Sequence, residues 1–426
     1  MERILFALDL LWQKTRESHR LQEISLSALA CLGSALILFR KKNTAWTVLS
    51  QVHRSTRSTK LRSLVEPWLI RNRYLTFIKT DTTNYASELT QALGWRLMVL
   101  KPPISPSEKG VLLIKFSELL HKVAVTFDVK KLLRDYTLLI EPSWSGYCDR
   151  DFIYFSQFSD PIFIETPDSS DFDFLSRLNS NLIPLRAGSG DWVDPEIAAP
   201  YLSLPKIYDL VMNAHWGRWK RHHVLFNAIK DMDIKVALIG FAWDGRTIKD
   251  IKKLAEYYHV LDKLEIFDRI PFTEVMRINA QSRFSILLSR KEGANRSIPE
   301  AMFADTPAIV LRETIGGVTK NVSSRSGWVC QEKELREVIS AVMRGTRTDF
   351  SARQWAIEHI SYIKSTDYIN RCLMERAIAD GNQWTMNIAP RKNSPELTYA
   401  NPEDPGIFHS HNAALTQYFK DQRTVR

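Results

Sequence analysis

From residue 73 onward the chain alternates short apolar or β-branched runs with helical patterns, a rhythm that commits it to mostly parallel sheets covered by helices. The first unit reads as a strand at 74–78 (YLTFI), a helix at 84–93, a stop at Gly94 and the next parallel strand at 96–100 (RLMVL). Further strands are expected at 111–116, 137–140, 162–165 and 182–185. A second series opens at 209–214 (DLVMNA) and repeats the rhythm more clearly. It has strands at 235–240, 264–267, 284–288 and 307–311, with helices at 224–230, 248–258, 274–281 and 298–303 between them. Two doubly wound α/β domains in tandem place a cleft between them, and open sheets bind ligands beyond the carboxyl ends of their strands. The expected organisation is an N-terminal helical extension (1–72), a first Rossmann-like domain (73–204), a second (205–350), closing helices (351–380) and a polar tail (381–426). The tail holds several prolines and reads as a loosely ordered appendage.

A chain of 426 residues with 44% hydrophobic and 25% charged residues is globular, which excludes a disordered or collagen-like protein. Cys31, Cys148, Cys330 and Cys372 form no CxxC pair, so neither a zinc knuckle nor a disulfide framework is indicated and a reducing, cytoplasmic setting fits. The formal charge of +10 implies an anionic partner: nucleic acid, a phosphorylated substrate or an anionic membrane face. Much of the excess lies at the front, in Arg40, Lys41, Lys42, Arg54, Arg57, Lys60, Arg62, Arg71 and Arg73. Residues 24–39 carry no charge and run directly into Arg40-Lys41-Lys42. The run is short for a span and holds three serines and Gly33, so a spanning helix, an interfacial helix and a buried packing helix all stay open. Peripheral membrane contact through 1–72 is one expectation. A cleaved signal peptide is disfavoured, because Glu17, Arg20 and Glu23 precede the apolar run.

Two segments carry chemistry. In 289–301 (SRKEGANRSIPEA), Glu292 follows a strand and Glu300 lies on the next helix, with Pro299 in its first turn, so the two acids can face different parts of one ligand. The amides of Gly293 and Ala294, near a helix N-terminus, are suited to anionic oxygens. Ordinary roles compete: a solvated loop acid and a helix-start acid favoured by the dipole. In 214–229 (AHWGRWKRHHVLFNAI), Arg218, Lys220 and Arg221 crowd a strand-to-helix loop, where cations can stabilise a departing diphosphate without a metal. A solvated basic turn or a nucleic-acid patch explains the same residues.

The second half resembles the C-terminal domain of the retaining glycosyltransferases of family 4, which have the GT-B fold. That family's Glu, seven residues, Glu pattern, continuing EA-small-G-x-P, is matched by Glu292-Gly293 and by residues 300–307 (EAMFADTP). Its K-G-h-x-x-L-x-x-A segment is similar to residues 220–228, its x-I-x-G strand to Leu238-Ile239-Gly240, its F-x-G-x-V-P segment to residues 266–271, and its later G-x-x-V return to residues 327–330. Coverage extends from about residue 209 to 342; before it, only residues 89–99 resemble the family's opening. The resemblance implies a GT-B fold of two Rossmann-like domains and transfer of a sugar from a nucleotide-diphosphate donor to a hydroxyl with retention. The acceptor would be a glycan or a lipid-linked precursor. The donor is a substrate; no separate cofactor and no metal is implied, and no nucleic-acid partner. Lys220 would contact the diphosphate, Glu300 the ribose hydroxyls and Glu292 the sugar, while the backbone around Arg269 and Ile270 would contact the base and Gly240 would belong to the same donor pocket.

Departures from the family pattern are specific. His215 stands where the family has an arginine, leaving Arg218 as the nearby candidate. Arg221, Asp268 and Thr306 replace family glycines, and 82–84 (TTN) stands near the family's Gly-Gly loop. His121 is a candidate base or orienter in the first domain, against the commoner packing role. Asp171-Phe172-Asp173 imitates a metal-binding Asp-x-Asp and reads as a loop turn. The adjacent His222 and His223 point apart on a helix and make poor joint ligands. No GxGxxG joins a strand to a helix, which disfavours a dehydrogenase. Rival readings are a non-catalytic basic binding protein on a degenerate GT-B fold and a sugar-nucleotide epimerase.

Overall fold

The computed structural model describes residues 18–73, 84–345 and 349–420, so the strand expected at 74–78 lies outside the described residues. The chain forms two compact units, one of residues 1–81, 146–159 and 173–182, the other of residues 82–145, 160–172 and 183–426.

The first unit is built on three helices, α1 (His19–Leu38), α2 (Lys42–Ser55) and α3 (Thr59–Arg71). Gly33 lets α1 approach α2 closely, since a Cβ there would strike the Leu49 side chain. Trp46 of α2 is fully buried and donates its indole N–H to the Leu69 carbonyl of α3 at 3.3 Å. His53 and Glu66 join the same two helices at 2.9 Å, and Arg177 donates to both oxygens of Glu66. Asp171 and Asp173 lie on a helix, Ser169–Arg177, not in the loop turn the sequence suggested.

The second unit holds two sheets. In the first, β1 (Leu97–Lys101), β2 (Gly110–Lys115), β3 (Tyr136–Glu141), β4 (Ile162–Glu165) and β5 (Leu182–Leu185) lie in sequence order. α4 (Tyr85–Ala92), α5 (Glu118–Thr126) and α6 (Val129–Asp135) belong to this half. Gly94 terminates α4 at φ +82°, a conformation that favours glycine. β2, β3 and β4 run parallel, but β1 pairs with β2 in the antiparallel sense. The parallel pairing expected between residues 96–100 and the strand at 74–78 lies outside the described residues, and on its β2 side β1 has an antiparallel partner. The connection between β1 and β2, residues 102–109, opens on Pro102-Pro103 and is too short for the crossover a parallel partner needs.

The second sheet is wholly parallel, in the order β13-β11-β9-β6-β7-β8. Its strands are β6 (Tyr208–Asn213), β7 (Val236–Gly240), β8 (Leu264–Asp268), β9 (Ser282–Leu287), β11 (Ala308–Leu311) and β13 (Gly327–Cys330). A short pair, β10 (Lys291–Glu292) with β12 (Ile315–Gly316), stands apart from it. The helices are α7 (His222–Ile229), α8 (Ile248–Tyr257), α9 (Phe272–Ala280), α10 (Ser297–Phe303) and α11 (Leu335–Met343), followed by α12 (Ala352–His359) and α13 (Tyr362–Ala379). The chain begins this sheet at its centre, extends to one side through β7 and β8, then crosses back to β9. The order therefore reverses between β6 and β9, and the loops leaving those two strands diverge around a crevice.

The reading of 381–426 as a loose appendage is overturned over residues 381–420. The strands β14 (Arg391–Asn393) and β15 (Leu397–Tyr399) form a hairpin, and short helices follow at Asp404–Ile407 and His409–Ala414. The segment bonds to the backbone of β1, the outermost strand of this sheet among the described residues. The Val99 N–H donates to Asn412 Oδ1 at 2.9 Å, Tyr399 Oη donates to the Val99 carbonyl at 2.9 Å, and the Ala389 N–H donates to the Leu100 carbonyl at 2.6 Å. Its polar residues and prolines are therefore pairing groups and turns. Asn412→Ala leaves the Val99 N–H buried without an acceptor and is expected to cost about 1–3 kcal/mol in urea denaturation; a change within error would show that the tail does not complete this edge.

Candidate active site

Lys220 and Glu292 come from the two loops that leave β6 and β9, and the structure joins them. Lys220 ends a single 3-10 turn, Arg218–Lys220, and donates its ammonium to Glu292 Oε1. Both side chains are nearly withdrawn from solvent, at 8% exposure each. Glu292 is pinned from behind, because β10 pairs with β12. Gly316, at φ +116°, brings the opposing backbone so near the Glu292 carbonyl that a Cβ would collide with it. Removing one partner of a buried pair of this kind strands the other without its hydrogen bond.

Glu300 lies in the first turn of α10 and is buried. It accepts a hydrogen bond from Ser394 Oγ at 2.7 Å, a residue of the tail. Burial raises its carboxyl above the usual range, with Arg296 and Ser394 opposing that shift. Arg296 in turn donates to the Asn393 and Pro395 carbonyls, so the β14–β15 connection is strapped across the start of α10. Gly293 packs where a Cβ would strike the Ser143 carbonyl, and Ala294 sits against Gly188. These two residues therefore meet loops that follow β3 and β5 of the first sheet.

The other sequence candidates are placed around β6, β7 and β8. Gly240 ends β7 beneath the Ala214 carbonyl and the Trp216 ring, leaving no room for a side chain. Trp216 donates its indole N–H to Asp268 Oδ1 at 2.6 Å, which gives the Asp268 that replaces a glycine a bonding role. The next residue, Arg269, takes φ +54° and donates its backbone N–H to the Gly240 carbonyl at 2.9 Å. Ile270 packs on the core under β6 and β7. Arg218 is exposed beside Lys220.

The glycine replacements resolve in two ways. Arg221 adopts φ +59° itself and uses its guanidinium on Glu332 at 2.7 Å, so an L-residue holds a backbone conformation that favours glycine. At the other position the left-handed residue is Asp305 (φ +52°), while Thr306 is fully buried and donates its hydroxyl to the Asn279 carbonyl at 2.6 Å. His215 does not replace the family arginine as a cation. Burial, reinforced by the Lys220 charge, lowers its imidazole to about 4, so it is neutral at physiological pH. Its ring is stacked on Trp243 at 5.3 Å and edge-on to Trp219 at 4.6 Å. His121, on α5, meets Tyr85 edge-on at 6.0 Å, and nothing places it near Lys220.

A second charged cluster was not singled out in the sequence. Lys115, Glu141 and Glu165 are the last residues of β2, β3 and β4, and Arg391 of β14 reaches them from the tail. Lys115 donates to Glu141 at 2.9 Å, Arg391 donates to both carboxylates, and Trp192 donates to Glu165 at 2.9 Å while its ring lies 3.8 Å from the Arg391 guanidinium. Ser143 and Ser189 donate to Glu141. Two basic and two acidic side chains meet here, and none of the four is more than 3% exposed, so the cluster braces the strand ends. One signal was available: an ionisable residue directly after each apolar run (VLLIK, TLLIE, IFIE). Burial acts strongly on both acids. In Glu141 it is outweighed by Lys115, Arg391 and the two hydroxyls, which hold the carboxyl well below its usual range. In Glu165, burial with help from the Glu141 charge outweighs Arg391 and pushes the carboxyl up to about 7.

The raised Glu165 value has a definite sign. The folded chain holds a proton that the unfolded chain has released, so this stabilisation is complete below about 4.5 and is lost as pH rises through about 7. Glu165→Gln is therefore expected to gain in Tm relative to the wild type as pH rises across that window, and a constant difference would contradict the assignment.

Residues 196–354, which include Lys220, Glu292 and Glu300, match the family model described as glycosyl transferases group 1. No curated protein matches the chain by sequence. Among solved structures, the chain is similar to a glycosyltransferase from Rickettsia africae, with 14% identity over 74% of this chain and 87% of that one and a TM-score of 0.50. It is also similar to HepE of Anabaena in complex with UDP, with 13% identity over 68% and 82% of the two chains and a TM-score of 0.50. Residues 196–354 thus carry the pattern of the group 1 glycosyltransferases, and the fold, two Rossmann-like halves on an α/β plan, is the GT-B fold.

Proposed function

We propose that this chain transfers a sugar from a nucleoside-diphosphate donor to a hydroxyl of a glycan or lipid-linked acceptor, with retention at the anomeric carbon. The observation that carries the proposal is the buried Lys220–Glu292 pair at the point where the strand order of the second sheet reverses. The match over residues 196–354 supports it, as does the UDP complex of the structurally similar HepE.

In this reading the Lys220 ammonium meets the donor diphosphate and offsets the charge that grows on it, assisted by the exposed Arg218. Glu292 keeps the ammonium in place and accepts from sugar hydroxyls. Glu300 exchanges its Ser394 partner for the ribose hydroxyls, and the amides of Gly293 and Ala294 lie toward the sugar and phosphate oxygens. The backbone at Arg269 and Ile270, beside Gly240, takes the base. The bond from the anomeric carbon to the diphosphate oxygen breaks as the bond to the acceptor oxygen forms on the same face. The acceptor proton passes to the departing phosphate oxygen, so no side-chain base is required.

A thermal-shift screen of nucleotide sugars on the full chain tests this reading. One donor is expected to stabilise the wild type, by about 2.7 kcal/mol at a hundredfold excess over Kd. Lys220→Ala is expected to abolish that shift, and Lys220→Met/Glu292→Gln, which leaves no unpaired buried charge, to do the same. Product should form only when an acceptor is present. Equal stabilisation of wild type and both variants, or donor conversion without an acceptor, would overturn the assignment.

A further inference from the structure

We propose that α1 lies in the plane of an anionic membrane surface and inserts its outer apolar face among the lipids. Only a narrow stripe of this helix, Leu26, Ala30 and Gly33, is fully buried, and at Gly33 the Leu49 side chain of α2 fills the space a Cβ would need. Over the uncharged run 24–39, Ala35, Leu36 and Ile37 are half-buried, and large apolar side chains stand exposed: Ile24 at 58%, Leu32 at 50%, and Leu38 and Phe39 at the turn at 83% and 76%. A contiguous uncharged face of this kind is costly in water and marks a contact surface.

Two further observations identify the occupant as lipid. The serines of the helix are internally satisfied, since Ser25, Ser27 and Ser34 donate to the Leu21, Glu23 and Ala30 carbonyls four residues earlier, so they enter an apolar phase without unpaired donors. The exposed cations Arg40, Lys41 and Lys42 follow the apolar run at once, where they meet anionic headgroups while their stems stay in the apolar boundary.

The geometry favours lying on the membrane over crossing it. The uncharged run from residue 24 to 39 spans about 24 Å as a helix, below the roughly 30 Å of a hydrocarbon core. Moreover, α2 packs alongside α1 and turns a polar side away from it. Thr44, Thr47 and Gln51 are exposed there, and Arg150 donates to the Asn43 carbonyl and to Thr47 Oγ1. A spanning α1 would carry those groups into hydrocarbon.

The test is flotation of the full chain with phosphatidylcholine vesicles containing or lacking phosphatidylglycerol. Binding is expected to the anionic vesicles, to weaken with salt, and to be released by alkaline carbonate. Ile24→Glu/Leu32→Glu, both at exposed positions, is expected to weaken binding about tenfold or more. Replacing Arg40, Lys41 and Lys42 by Gln is expected to weaken it on the order of a hundredfold and to remove the preference for phosphatidylglycerol. Retention after carbonate would overturn the in-plane placement. Absence of binding by the wild type, binding unchanged in the Glu variant, or a dimer in sedimentation that the Glu variant dissociates would overturn the lipid assignment.

Discussion

An ammonium and a carboxylate held together out of water set the terms for the second half of this chain. Lys220 and Glu292 are far apart in sequence, and they meet because β6 and β9 are neighbours while the chain departs from them in opposite directions. Neither charge is tolerated there alone. The Trp216 indole on Asp268 anchors the loop after β6, and the β10–β12 pair anchors the loop after β9. On the proposed reading, a diphosphate arriving between these loops meets a basic group already positioned, which lowers the reorganisation needed as charge develops.

The first sheet contributes a different arrangement at its own strand ends. Lys115, Glu141, Glu165 and Arg391 hydrogen-bond one another in the interior, and the tail that supplies Arg391 also supplies Ser394 to Glu300 and bonds to the backbone of β1. One segment thereby touches the brace of the first sheet and the acid of α10. Its removal would be felt in both halves of the unit.

Much of this was legible in the sequence because it is local. Apolar runs located five of the six strands of the second sheet to within two residues, β13 excepted, and the pattern around Glu292 and Glu300 set one acid after a strand and the other on the following helix. The failures were non-local. The antiparallel pairing of β1 depends on a short Pro-Pro connection whose partner strand no pattern names. Arg391 sits in a polar, proline-bearing stretch that reads as solvated, although its guanidinium is fully buried. The Asp-Phe-Asp segment lies inside a nine-residue helix, Ser169–Arg177, too short for its periodicity to stand out in the sequence. At the replaced glycines, positive φ was carried by Arg221 itself but by Asp305 and Arg269 next to the other two, a shift visible only in the backbone.

The most direct measurement is a crystal structure of the chain with a nucleoside diphosphate bound. The account requires the terminal phosphate within hydrogen-bonding reach of Lys220 Nζ, in the crevice between the loops after β6 and β9, with a ribose hydroxyl in place of Ser394 on Glu300. A nucleotide bound elsewhere, with the Lys220–Glu292 and Ser394–Glu300 contacts undisturbed, would contradict it.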